Sequence, residues 1–112
     1  MTTSFKVIEP SGILDGNQTE PLRRAVEEAL TEGMKIVLLD LKNTTFIDSS
    51  GLGGLVMVLK KVRSQNCKMY FCSINDQIRM LFDLTGMDRV FDVLEDQADF
   101  ESTVLKEFPT EH

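Results

Sequence analysis

Two serines and an acid stand beside three glycines in one short segment. Residues 48–54 read Asp-Ser-Ser-Gly-Leu-Gly-Gly, and apolar residues at helical spacing follow them. A glycine inside a helix costs up to about 1 kcal/mol relative to alanine, so three at a helix start need a physical reason. Hydroxyl side chains are favoured as N-caps, and a helix N-terminus tolerates an added phosphate. The segment therefore predicts either a serine open to modification by another protein or a capped helix whose glycines allow close packing.

Enzymatic motifs fit this segment poorly. Neither Ser49 nor Ser50 has a glycine two places before it, as a nucleophile elbow requires. The sequence lacks the Gly-Lys-Ser/Thr end of a phosphate loop, and Val56 occupies the third-glycine position of a dinucleotide pattern. The single histidine, His112, is the last residue, so a serine hydrolase would need a carboxylate as its base. We expect no enzymatic activity, no cofactor and no metal site.

Composition and charge narrow the function classes further. The chain has 112 residues, of which 42% are apolar and 27% charged, as is usual for one globular domain. Its formal charge of −6 opposes binding to a phosphate backbone, so we expect no nucleic-acid partner. No apolar run approaches the roughly 20 residues needed to span a bilayer, and the N-terminal residues lack the apolar stretch of a signal peptide. We therefore expect a cytoplasmic protein without a membrane partner.

The two cysteines, Cys67 and Cys72, are five residues apart. In one strand, an odd offset directs two side chains to opposite faces, which prevents a disulfide between them. The spacing also matches no common zinc pattern. We expect two reduced thiols.

Apolar spacing and turn residues predict alternating strands and helices. The predicted strands lie at residues 7–8, 13–14, 36–39, 46–47, 69–72 and 90–94, and the first two suggest a hairpin-like start. Asn17 is the predicted N-cap of the first helix, with Pro21 in the first turn of that helix. The predicted N-caps of the later helices are the serines of residues 48–54, Asn75 and Asp96. Gly33 and Gly86 are predicted to end the first and the third helix. Strands alternating with helices indicate an α/β fold. We expect a mixed β-sheet of four to five strands packed with about four helices, in one domain over residues 1–108 with a short tail at 109–112.

Residues 46–53, Phe-Ile-Asp-Ser-Ser-Gly-Leu-Gly, closely resemble the signature of STAS domains, the family of bacterial anti-sigma factor antagonists. Residues 36–41 resemble the family's central strand, residues 78–87 its third helix, and residues 90–93 the segment before its last helix. The resemblance extends over about residues 5–108 and implies a single STAS-type domain.

The resemblance also implies a phosphorylation switch. Ser50 matches the serine that is phosphorylated by a partner kinase, which is also the anti-sigma factor, and a phosphatase of the PP2C type would reverse this. Asp48 matches the family's acid, and Ser49 fills its variable hydroxyl position. Gly51, Leu52 and Gly53 complete the segment that supports the phosphosite and contacts the partner. The unphosphorylated form would bind the anti-sigma factor and free the sigma factor, and phosphorylation would block binding.

Other functions stay open at the level of sequence. The same domain could switch a kinase and phosphatase pair that does not control a sigma factor, since STAS domains also serve such pathways. A receiver domain would need acids clustered for magnesium, which Asp40 and Asp48 do not obviously supply. A nucleotide-binding module is a third alternative. In the second helix, Met57 and Val58 fall outside the main apolar stripe, so they are either additional core or part of a docking surface.

Overall fold

Six strands and four α-helices follow one another in the computed structural model, which describes residues 4–105. The strands are β1 (Phe5–Ile8), β2 (Gly12–Leu14), β3 (Ile36–Asp40), β4 (Thr44–Ile47), β5 (Lys68–Cys72) and β6 (Asp92–Leu94). The helices are α1 (Gly16–Thr31), α2 (Ser49–Ser64), α3 (Asp76–Thr85) and α4 (Gln97–Thr103), with a short 3-10 helix at Met87–Arg89. None of the helices within residues 4–105 is long and apolar enough to cross a membrane.

The main sheet has the strand order β1-β3-β5-β6, and β3 is buried along its whole length. Val37 and Leu39 belong to the larger core, which contains side chains of α1, α2 and α3. Ile36 and Leu38 belong to a smaller core that contains Phe100 of α4. Successive strand residues point to opposite faces, so a fully apolar strand must be covered on both. The strand predicted at residues 36–39 is present and is buried on both faces.

The α/β fold, with four strands in the main sheet and four helices, agrees with the prediction. The prediction was a mixed sheet, whereas every strand pair described within residues 4–105 is parallel. A parallel pair needs a crossover connection, and α1, α2 and α3 each lie between two strands of the main sheet along the chain.

The expected hairpin at the start of the chain is wrong. Strand β1 pairs with β3, whereas β2 pairs with β4 in a separate two-stranded sheet. Two hydrogen bonds connect residues 10–12 with residues 43–44: the Gly12 N–H donates to the Asn43 carbonyl over 2.9 Å, and the Thr44 hydroxyl donates to the Pro10 carbonyl over 3.0 Å. These long-range bonds direct the chain from one sheet to the other.

The first helix begins earlier than predicted. Asp15 is its N-cap, and the carboxylate accepts from the Gln18 N–H over 3.0 Å. Asn17 therefore lies inside the first turn, and Pro21 lies in the second turn. Asp15 and Asn17 are each followed three residues later by a glutamine or a glutamate, so the capping-box pattern fits either residue as the N-cap of α1.

The later helix boundaries agree better with the sequence. Asn75 and Asp96 cap α3 and α4 as predicted. Gly86 ends α3 with φ +74°, a left-handed conformation that glycine adopts without a steric penalty. Val104, after α4, is buried. The predicted domain end at residue 108 and the predicted tail at 109–112 lie outside the described residues.

Both cysteines are free and buried. Cys67 belongs to the larger core and Cys72 to the smaller one, so the two thiols lie on opposite faces of the sheet, as their spacing predicted. Burial raises the pKa of the Cys72 thiol. Since the thiolate is the reactive form, this shift protects Cys72 from thiol reagents.

We expect the native protein to react slowly with Ellman's reagent at pH 8. Both thiols should react fully once guanidinium unfolds the chain, because only then do they reach solvent. Absorbance at 412 nm measures the released thiolate. One rapid thiol equivalent in the native protein would contradict the burial of one of the two cysteines.

Candidate functional site

The segment 48–54 forms the first turns of α2, with Asp48 as the N-cap. The Asp48 carboxylate accepts from the Gly51 N–H over 2.8 Å, and its carbonyl accepts from the Leu52 N–H over 2.8 Å. The expectation that a serine hydroxyl caps this helix is wrong, because the acid before the serines takes that role. Ser49 and Ser50 occupy the first two helical positions, and both are exposed. Ser50 therefore lies at the N-terminus of the second helix, as predicted.

Close packing explains two of the three glycines. A β carbon on Gly51 would lie 2.0 Å from the Leu14 carbonyl oxygen, a separation that no side chain can adopt. A β carbon on Gly54 would lie 2.7 Å from the side chain of Thr19 on α1. Gly53 has no neighbour within 4 Å of such an atom and is exposed. Gly51 and Gly54 thus let α2 approach β2 and α1, whereas Gly53 is not needed for packing.

The start of α1 lies beside Ser50. A β carbon on Gly16, the first residue of α1, would lie 3.4 Å from the β carbon of Ser50. The N-terminal ends of α1 and α2 therefore meet at this serine. Sequence reasoning missed Gly16 because the contact joins residues 34 positions apart, and no local pattern reports such a contact.

The two apolar residues that fell outside the stripe of α2 have different roles. Val58 is buried in the larger core, so its interpretation as core is correct. Met57 is 63% exposed. It lies seven residues after Ser50, on the same helix face and about 10 Å along the axis. This exposure favours the docking interpretation for Met57.

A second exposed apolar group lies in the two-stranded sheet. Ile13 and Phe46 are partners in the register of β2 and β4, and they are 56% and 43% exposed. Leu14 and Ile47, the next residues on each strand, are buried in the core. Since strand residues alternate between faces, two adjacent apolar residues on each strand place one outward. The adjacent apolar residues Ile13-Leu14 and Phe46-Ile47 are therefore the sequence feature that indicates this exposed group.

The two candidate acids do not come together in a metal site. Asp40 is buried at the end of β3, where its carboxylate accepts from the Gln97 amide over 2.8 Å and from the Lys42 N–H over 3.0 Å. Asp48 is occupied as the cap of α2. Within residues 4–105, no three His, Cys, Asp or Glu side chains are grouped as metal ligands would be. Both acids thus have structural partners.

A cleft of about 410 Å³ is lined by Arg79, Asp83 and Asp88 together with apolar residues of α3, β6 and their surroundings. One guanidinium beside two carboxylates is a weak site for the phosphates of a nucleotide, because the acids repel them. The cleft does not include any residue of the segment 48–54.

Comparison with known proteins assigns this arrangement to a family. The family model for the STAS domain matches residues 2–104. The chain belongs to the STAS domain family.

Relatives of this STAS domain include two curated antagonists. The anti-sigma F factor antagonist of Paenibacillus polymyxa is 27% identical over 93 residues, which cover 82% of this chain and 80% of the relative. The anti-sigma-B factor antagonist of Staphylococcus aureus is 28% identical over 91 residues, which cover 81% of this chain and 84% of the relative.

Solved structures agree with the STAS fold. The unphosphorylated form of the anti-sigma factor antagonist SpoIIAA superposes with a TM-score of 0.73 at 17% identity and covers 99% of this chain and 96% of its own. The phosphorylated form of SpoIIAA, from Bacillus, gives a TM-score of 0.66 at 18% identity, with 91% and 93% covered.

We expect Gly51→Ala to destabilise this STAS domain and Gly53→Ala to leave it as stable or more stable. The new methyl at 51 would overlap the Leu14 carbonyl, and relieving the overlap costs about 1–3 kcal/mol or more. The methyl at 53 points into open space, and alanine gains up to about 1 kcal/mol of helix propensity there. Urea unfolding of both variants measures the difference. Equal stability of the two would show that α2 does not depend on close contact with β2.

Proposed function

We propose that this STAS domain is a cytoplasmic anti-sigma factor antagonist regulated at Ser50. Its unphosphorylated form binds an anti-sigma factor that is also a serine kinase, and the sigma factor is released. Phosphorylation of Ser50 blocks this binding, and a PP2C-type phosphatase restores it. The observation that carries the proposal is the exposed Ser50 in the first turn of α2, with exposed apolar side chains before and after it. The names of the two curated relatives support the same role.

Ser50 is well placed to receive a phosphate. Within residues 4–105 its hydroxyl has no hydrogen-bond partner, and the Gly51 N–H donates its capping bond to Asp48. The hydroxyl can therefore react without the loss of a structural bond. A phosphate in the first turn also interacts favourably with the helix dipole, by about 0.3–1 kcal/mol. The fold can carry the modification.

An exposed apolar surface next to Ser50 provides the contact with the partner. We define this docking surface by Ile13, Phe46, Met57 and the Ser50 hydroxyl. Ile13 and Phe46 precede the starts of α1 and α2 by a few residues, and Met57 follows Ser50 along α2. Burying these side chains contributes about 25 cal/mol per Å² of apolar area.

One phosphate can block such a contact. It adds a charge of about −1.5 to −2 at pH 7, next to Asp48 in a chain that is already acidic. A partner that buries this group must remove its water or pair its charge, which costs several kcal/mol when neither is complete. A loss of about 2.8 kcal/mol reduces the affinity roughly a hundredfold. The switch therefore needs no large change of shape.

The same surface would serve a partner-switching pathway that does not control a sigma factor. A pull-down from cells, with the parent protein and with Ser50→Asp, distinguishes the two. Recovery of a kinase that, once purified, binds a sigma factor supports the proposal, and recovery of a kinase that binds no sigma factor on its own supports the alternative.

We expect the chain to take up one phosphate on Ser50 when it is incubated with the recovered kinase and ATP. Ser50 is the serine next to α1 in the accessible first turn, and Ser50→Ala should abolish uptake. Peptide mass spectrometry assigns the site. Phosphate on Ser49 alone, or undiminished uptake by Ser50→Ala, would refute the assignment.

We expect Ser50→Asp to weaken binding to the anti-sigma partner at least about a hundredfold, while the melting temperature changes by only a few degrees. The carboxylate agrees with the dipole of α2 in the free domain but must lose its water in the complex. Ser50→Ala should bind like the parent and keep its stability, because Asp48 and not Ser50 is the cap. Titration calorimetry and thermal melts measure both properties.

The matched control is Ser102→Asp, which adds the same charge on α4. This helix packs through Phe100 on the sheet face opposite the larger core, so the control should bind like the parent. Parent-like affinity of a folded Ser50→Asp would rule out blocking by charge.

A further inference from the structure

Gly16 is the residue of α1 that faces Ser50. Both residues are exposed, and a β carbon on Gly16 would lie 3.4 Å from the Ser50 β carbon. We propose that Gly16 is a specificity-determining residue of the phosphorylation site, because its missing side chain leaves the Ser50 hydroxyl open to the kinase. This inference rests on the proposed function, since it concerns regulation at the same serine.

The contact between Gly16 and Ser50 is fixed by the packing one turn further along both helices. Thr19 is buried, and its side chain lies against Gly54, where a β carbon would come within 2.7 Å of it. The Thr19 hydroxyl donates to the Gly16 carbonyl over 2.9 Å, and Asp15 caps the same turn. The start of α1 therefore cannot move away from Ser50 to make room for a side chain larger than that of alanine.

Backbone conformation does not require a glycine at position 16. Three glycines of the described chain have positive φ, and Gly16 is not among them. As a helical residue, Gly16 is less favourable than alanine or leucine by up to about 1 kcal/mol. A methyl group at 3.4 Å would be an ordinary van der Waals contact, so alanine fits there. The glycine thus lowers helix stability without a steric need of its own, and access to Ser50 accounts for it.

A side chain at position 16 would affect Ser50 and not Ser49. Among residues 4–105, the Ser50 β carbon is the only atom within 4 Å of the position that a Gly16 β carbon would take, apart from the two neighbouring residues and the nearby backbone of α1. A longer side chain at position 16 would begin at this contact with Ser50. Gly16 therefore affects which of the two serines is phosphorylated and how fast Ser50 is phosphorylated.

The first experiment measures access to position 50 without a kinase. Ser50→Cys introduces an exposed thiol, whereas Cys67 and Cys72 are buried. In this background we expect Gly16→Leu to slow the reaction with Ellman's reagent at least about fivefold, since exchange rates depend on access to the thiol. The matched control is Asn17→Leu, which adds the same side chain to the next exposed residue of α1 and should leave the rate unchanged.

Thermal melts establish that each variant is folded. If Gly16→Leu does not fold, Gly16→Ala takes its place, because its methyl fits at contact distance, and a smaller slowing is then expected. An unchanged labelling rate in a folded position-16 variant overturns the inference.

The second experiment uses the native Ser50 and the kinase recovered by the pull-down. We expect Gly16→Leu to lower kcat/KM for phosphorylation of Ser50 about tenfold, because small displacements of a reacting group reduce rates strongly. Asn17→Leu should be phosphorylated like the parent. Equal rates for the parent and Gly16→Leu refute the role of Gly16 and leave the proposed function intact. If the parent takes up no phosphate at Ser50, the proposed function and the regulatory role of Gly16 both fail, whereas slow thiol labelling would still show that a side chain at 16 screens position 50.

Discussion

The position of α2 depends on its backbone contact with the Leu14 carbonyl. This oxygen accepts from the Asp48 N–H over 3.3 Å, and it leaves no room for a β carbon on Gly51. The end of β2, the end of β4 and the start of α2 are thereby held together at one point. A larger residue at 51 would push the helix away from the strand, and Ser50 would move with it. The contact thus determines where Ser50 lies relative to the two-stranded sheet.

Asp48, and not Ser50, makes the capping bond that stabilises the start of α2. The acid satisfies the Gly51 N–H, so the Ser50 hydroxyl is not needed as a cap. If Ser50 were the cap, phosphorylation would alter the bond that starts the helix, and the fold would respond to the switch. With the cap on Asp48, the proposed phosphorylation of Ser50 would change the surface and leave the helix start in place. The arrangement suits a switch that acts on binding alone.

The elements that local pattern specifies strongly were predictable from the sequence. The apolar run in β3 and the caps Asn75 and Asp96 agree with the structure, because burial on both faces and capping bonds leave direct traces in neighbouring residues. The start of α1 and the pairing of β2 were not predictable in this way. Two equivalent capping patterns compete at α1, and the bond from Thr44 to the Pro10 carbonyl joins residues far apart in the chain. Gly16 was not predictable for the same reason, because its contact with Ser50 joins residues far apart in the chain. The serine segment itself was evident because its glycines are unfavourable in a helix.

The packing of the glycines also limits which residues can determine the choice of partner. The positions that β carbons of Gly51 and Gly54 would take are filled by the Leu14 carbonyl and the Thr19 side chain, so these glycines serve the fold. A partner can contact only exposed residues, which include Ser50 and the apolar side chains of the docking surface. Two STAS domains with the same serine segment can therefore present different surfaces to their binding partners. Discrimination between partners must come from the shape and charge of the side chains around the serine.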